Sequence, residues 1–155
     1  MKNQFIKTAA LLCLAVLAAC RPQTENITDA PAAAPIYPDY ADVTIPYNIA
    51  PLNFLLREES SAMRVTVAGR RDSLVADGKQ KVCFPVEKWR HLLETEKGNT
   101  LTVSVVARIK GKWLRYPAFT WQVAPEKIDG YLSYRLIEPG YEVWNRIQLR
   151  ERNLE

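Results

Sequence analysis

A chain of 155 residues, 48% hydrophobic and 25% charged, is the size and composition of one globular domain with appendages. It excludes a two-domain enzyme, a chain disordered throughout, and a polytopic membrane protein. The formal net charge is +4, and a single histidine and three cysteines leave little material for metal or nucleophile chemistry.

The N-terminus reads as an export signal. Lys2 and Lys7 make a basic opening, Thr8 to Val16 is an apolar run shorter than the ~20 residues of a spanning helix, and Leu17-Ala18-Ala19-Cys20 follows. The tetrad resembles the bacterial lipobox, in which cleavage falls between alanine and cysteine, here Ala19 and Cys20, and the cysteine thiol takes the lipid. Residues 1–19 are therefore expected to be removed and Cys20 to be acylated, tying the protein to a membrane it does not span. Of the 21 basic residues, Lys2 and Lys7 leave with the signal, so the mature chain carries 19 basic against 17 acidic residues. Cys13 leaves too and Cys20 is blocked, so Cys83 is the one free thiol and no intramolecular disulfide forms.

Residues 20–51 read as a tether. Pro22, Pro31, Pro35, Pro38, Pro46 and Pro51 break any regular ladder or helix, and an extended spacer of this kind lifts a domain up to ~60 Å from the lipid over some twenty residues at ~3.1 Å each. Tyr37 to Phe54 is richer in apolar residues and is expected to lie along the domain.

The folded part is expected over residues 52–125. Met63, Val65 and Val67 alternate with Arg64, Thr66 and Ala68, the period of a half-buried strand. Asp77-Gly78 lies between Ser73–Ala76 and Lys79–Phe84, which predicts a two-residue hairpin turn with Gly78 at positive φ. After Pro85, the three-to-four spacing of Val86, Trp89 and Leu93 predicts one short helix stopped by Gly98. Leu101, Val103, Val105, Ala107 and Ile109 form one face of the longest strand, and Gly111 turns the chain back. Phe119, Trp121 and Val123 share a face from which Leu114 and Tyr116 are out of phase, so a bulge or crossover is expected near Pro117. The whole predicts a mainly β fold, a small immunoglobulin-like antiparallel β-sandwich with one short helix.

Residues 126–155 stand apart. Tyr131, Tyr134, Tyr141 and Trp144 fall within seventeen residues, and the turn-by-turn spacing of Tyr141, Trp144 and Ile147 predicts an aromatic, helical connector ending in a polar helix, expected to be truncated and to offer a surface for a partner protein or a further domain. Two stretches, Asp42-Val43-Thr44-Ile45-Pro46 with Asn48 to Phe54, and Ile128-Asp129-Gly130-Tyr131 with Tyr134 to Tyr141, resemble the N-terminal region of TolB-like β-propeller lipoproteins of the Bacteroidetes, often labelled cytochrome c biogenesis proteins. The resemblance covers most of residues 36–155. It implies that a Cys-x-x-Cys-His haem motif and a propeller would follow Glu155; neither lies in this sequence, so no haem function carries over.

The candidate chemistry is thin. Cys83, between Val82 and Phe84, reads as a small buried hydrophobe, and His91, on the helix face away from Trp89 and Leu93, as solvated. A Cys83–His91 dyad lacks an orienting third group, and one cysteine with one histidine falls short of a metal site. From Arg57 to Arg115 there are 13 basic and 7 acidic residues, with Arg70-Arg71 and Lys110-Gly111-Lys112 at expected turns. These read as strand-edge decoration rather than an anion site, and the exported compartment argues against nucleic acid as a partner. No catalytic residue, metal or cofactor is assigned. The expectation is a non-catalytic lipoprotein of the cell envelope, on the outer membrane and facing the periplasm. Its binding surface would be Tyr131, Tyr134, Tyr141 and Trp144. The alternative is a carbohydrate-binding module in which Trp113, Tyr116 or Trp121 stacks on sugar rings.

Overall fold

The computed structural model describes residues 26–136 and 148–154. In chain order the elements are β1 (Ile27–Asp29), β2 (Ile36–Tyr37), β3 (Val43–Pro46), β4 (Phe54–Leu56), β5 (Ala62–Ala68), β6 (Ser73–Gly78), β7 (Lys81–Val82), α1 (Val86–Thr95), β8 (Thr100–Ile109), β9 (Lys112–Arg115), β10 (Phe119–Ala124), β11 (Tyr131–Leu136) and β12 (Gln148–Asn153). Among the described residues the fold is mainly β with one helix, a small β-sandwich.

Strand β8 organises the larger sheet because its alternation is unbroken: Leu101, Val103, Val105, Ala107 and Ile109 are all buried while their neighbours face outward. One edge of β8 pairs antiparallel with β5, which pairs with β6; the other edge pairs with β9 and then β10. Val106 opposes Arg115 and Val103 opposes Phe119, so three steps along β8 face four along its partner. One extra residue is inserted beside Pro117, which is the expected bulge and the reason Leu114 and Trp121 share a face despite opposite parity. Tyr116 still donates its backbone N–H to Val105 across the break, at 3.0 Å.

The opposite layer is the three-stranded sheet β2-β4-β7 together with α1. Phe54 of β4, Phe84, Trp89 of α1 and Trp121 of β10 form one run of aromatic contacts across the layers, with ring centroids 5.3–6.3 Å apart. Such edge-to-face and offset pairs add to the gain from burial. Trp89, Leu92 and Leu93 make the buried stripe of α1; the helix ends at Thr95 with Glu96 as its C-cap, and Gly98, at φ +73°, turns the chain beyond it in the left-handed region that glycine enters without strain.

The described part of the segment expected as a tether is built into the body. β1 and β3 add parallel strands to β9 and β10, and Ile36 and Ile45 are core residues. Two buried indoles hold the segment: Trp121 Nε1 donates to the Tyr40 carbonyl at 2.7 Å and Trp89 Nε1 to the Ile49 carbonyl at 2.9 Å. Asp42 Oδ1 accepts from the backbone N–H and hydroxyl of Thr120. The prolines are compatible with this because the segment supplies only short strands at sheet edges, where a missing N–H costs no ladder bond. Among the described residues, the folded body thus includes strands from Ile27 onward as well as residues 52–125.

Two local expectations are corrected. Asp77-Gly78 is not a turn: both residues end β6, opposite Arg64 and Met63 of β5, and Gly78 is not at positive φ. Asp77 instead closes a bidentate pair with Arg64, at 2.7 and 3.0 Å, which lowers its carboxyl pKa chiefly through the hydrogen bond. The chain bends after Gly78, and β7 departs to pair with β4 so that Val82 enters the core. The turn with the expected geometry is Lys110-Gly111, where φ values of +47° and +82° at both central residues mark a type I′ hairpin joining β8 to β9. Gly78 is needed for space, because a Cβ there would sit 2.1 Å from the Lys81 carbonyl oxygen. Gly78→Val is expected to cost about 3 kcal/mol by forcing that backbone apart. A denaturant titration checks it; an unchanged midpoint would remove the close approach as a constraint.

Candidate functional site: an exposed β-ribbon

Leu132, Tyr134 and Leu136 alternate with Ser133 and Arg135, and this period-two pattern makes β11 a strand. β12 pairs with it antiparallel over six residues, from Tyr131 opposite Asn153 to Leu136 opposite Gln148. The aromatic, helical tail is therefore corrected in its described parts: residues 131–136 and 148–153 are strands. Gln-Leu-Arg-Glu-Arg-Asn offers only one apolar side chain to a helix face, whereas a strand lets it pair its backbone with β11. Tyr141 and Trp144, with the helical spacing expected of them, lie outside the described residues.

The ribbon is rooted in the body at its base. Asn48 and Ile128 exchange two hydrogen bonds, side-chain amide nitrogen to carbonyl and backbone N–H to amide oxygen, both at 3.0 Å. Ala50 N–H donates to the Leu154 carbonyl at 2.6 Å and Leu154 N–H to the Gly130 carbonyl at 2.8 Å. Beyond this root every residue of both strands is exposed, and among the described residues no third strand joins them. Tyr131 is 60% exposed, Leu149 81%, and Leu132, Tyr134 and Leu136 between 39% and 49%.

The register separates two faces. Leu132, Tyr134 and Leu136 line one, directly opposite Arg152, Arg150 and Gln148; Tyr131, Ser133 and Arg135 line the other, opposite Asn153, Glu151 and Leu149. The first face is an apolar row bordered by two guanidiniums, and its Arg150 bonds Gln148 along its own strand rather than an acid. Two strands alone are marginal in water, and a ribbon that presents an apolar row to solvent gains most from a surface that covers it.

The other expected residues separate from this site. Cys83 is exposed, which corrects its reading as buried: Val82 and Phe84 turn inward, and a residue between two inward neighbours on an extended chain points out. His91 is exposed on α1, with Nε2 3.9 Å from Asp72 Oδ2. No group of three metal-ligating side chains occurs among the described residues, nor does any helix there reach the length and apolarity needed to cross a membrane. Arg70-Arg71 and Lys110-Lys112 fall at opposite ends of the β5–β8 pair, so the basic excess does not converge on one patch.

The aromatics weighed for sugar stacking do not form a platform. Trp121 is wholly buried, and Tyr116 is 5% exposed with its hydroxyl donating to Glu58 Oε2 at 2.7 Å. Burial, then the Glu58 carboxylate, raises the Tyr116 pKa above its usual value. Trp113 alone of the three lies on the outer face of the sheet.

A residue without a sequence signal holds the other end of the body together. Glu96 follows the last turn of α1, where its charge opposes the helix dipole, and is fully buried. Its Oε1 accepts from the backbone N–H groups of Arg71, at 2.5 Å, and Asp72, at 3.0 Å, in the β5–β6 turn. Gly69 makes room: a Cβ there would stand 2.4 Å from the Glu96 carboxyl carbon. Comparison with protein-family models, curated proteins and solved structures finds no match to this chain.

Proposed function

We propose that the protein is a lipid-anchored, non-catalytic docking module of the bacterial cell envelope, attached through Cys20 and engaging a protein surface through the β11–β12 ribbon. The observation that carries this reading is the exposure of the whole ribbon, whose apolar row of Leu132, Tyr134 and Leu136 is left to solvent beside a body that buries Phe54, Phe84, Trp89, Phe119 and Trp121 in its core. The basic n-region, the apolar run and Leu17-Ala18-Ala19-Cys20 support the anchor. Removal of residues 1–19 would leave the acylated cysteine as the first residue, with attachment to the outer membrane and the domain facing the periplasm. The resemblance to TolB-like propeller lipoproteins supports a covering surface that is a propeller, of the same chain or of a partner.

A photo-crosslinking amino acid at position 134, compared with one at the exposed Val75 on β6, tests the docking surface in cells. One discrete adduct from position 134 and none from 75 is the expected result; adducts of equal yield from both, or none from either, would overturn it. In the same cells Cys20→Ser is expected to leave the precursor uncleaved and without an acyl mass increment.

A further inference from the structure

The outer face of the larger sheet carries a hollow whose origin is legible in the register. Across β1, β9, β8 and β5 one row of outward side chains runs Ile27, Trp113, Arg108, Ala62; the next runs Asp29, Arg115, Val106, Arg64 and, on β6, Asp77. Ala62 and Val106 are short, and Arg108 bends towards the Gly111 carbonyl at 3.4 Å. The tall Trp113 and the Arg64–Asp77 pair therefore stand as walls around a depression of about 400 Å³, with Ile27 and Met63 completing it. That volume is within the ~300–1,000 Å³ of small-molecule sites.

The lining narrows the ligand. It is predominantly apolar, and its two charged side chains are bound to each other in bidentate geometry, so a sugar would find an aromatic wall with few uncommitted partners for its hydroxyls. A peptide strand has no edge to join, because β5, β8 and β9 are paired on both sides at this point. The Trp113 indole Nε1 is covered and has no hydrogen-bond partner among the described residues, so no bond locks that wall in place. A flexible apolar chain fits such a lining.

The position of the hollow says where such a chain comes from. Ile27, one of its walls, is seven residues from Cys20, and seven Cα steps span at most about 25 Å. Resting on the anchor reading above, we infer that this hollow receives an acyl chain of a bilayer phospholipid, so that the β1–β9 side of the sheet lies against the membrane that holds the anchor. The protein then stands on the bilayer by two contacts, the lipid on Cys20 and this face, rather than on a long spacer.

The test uses the lipidated full chain in phosphatidylglycerol–phosphatidylcholine vesicles whose phospholipid acyl chains carry bromine, a contact quencher of indole emission. Trp89 and Trp121 are wholly buried, and subtracting a Trp113→Phe variant isolates the emission of Trp113. The expected result is loss of the Trp113 emission in brominated vesicles, and its return in Ala62→Gln, which fills the hollow, with an unchanged melting midpoint. Vesicle flotation is read first. Protein that floats but keeps its Trp113 emission overturns the hollow and leaves the anchor standing, whereas protein that does not float overturns the anchor and this inference with it. Quenching that persists in Ala62→Gln also overturns the hollow, because contact would then not depend on it. Protection of Trp113 by a soluble oligosaccharide would assign the face to sugar instead.

Discussion

Trp121→Ala is expected to lower the stability of the domain by about 3–5 kcal/mol, a large part of what a domain of this size possesses. The indole is wholly buried and meets Trp89 at 5.6 Å, Phe119 at 5.9 Å and Phe84 at 6.2 Å between ring centroids, so truncation opens a cavity bordered by three other rings. It also removes the donor that holds the Tyr40 carbonyl, and with it one of the two indole ties on the segment that supplies β3. The same substitution at Trp113, half-buried on the outer face, lacks both consequences and is expected to cost much less. Denaturant unfolding followed by circular dichroism compares the two. Equal losses would mean that the aromatic run is not the centre of the core.

Glu96→Ala is expected to cost about 3 kcal/mol, because two backbone donors in the β5–β6 turn lose a charged acceptor in a place closed to water. Burial pushes the carboxyl pKa up, but the N–H groups of Arg71, Asp72 and Arg70 and the charge of Arg71 outweigh it, and the group is held below its usual 4.5. A carboxyl whose pKa is depressed by folding stabilises the protein above its unfolded value and loses that contribution as pH falls through the folded one. The acid limb of the stability curve below about pH 4.5 is therefore expected to be shallower in Glu96→Gln, which keeps an acceptor but does not titrate. A parent-like acid limb in that variant would assign the acid sensitivity elsewhere. Glu96 Oε2 is buried without a partner among the described residues, so the staple is incompletely satisfied.

Where one residue type alone decides geometry, local pattern was sufficient. The alternation of Leu101 to Ile109 marked β8, the spacing of Val86, Trp89 and Leu93 marked α1, although Val86 is exposed and the buried stripe is Trp89, Leu92 and Leu93, and the phase change near Pro117 marked the bulge, because a side chain's direction follows directly from the strand or helix period. Pattern was insufficient where two chain segments compete for one partner. Asp77-Gly78 has turn chemistry, yet Asp77 gains Arg64 and Gly78 gains the Lys81 carbonyl only if both remain in β6. The tether prolines forbid a central strand but not a short edge strand, and only the positions of Trp89 and Trp121 in the folded core determine that the segment is held there. The polar run Gln148–Asn153 carries no strong preference of its own and becomes a strand by pairing with β11. Composition and the period of each long element were thus determined by the sequence itself, since they depend on neighbours in the chain. The ribbon, the Glu96 staple and the hollow beside Trp113 were decided by tertiary structure, since each exists only where residues distant in sequence are brought into register.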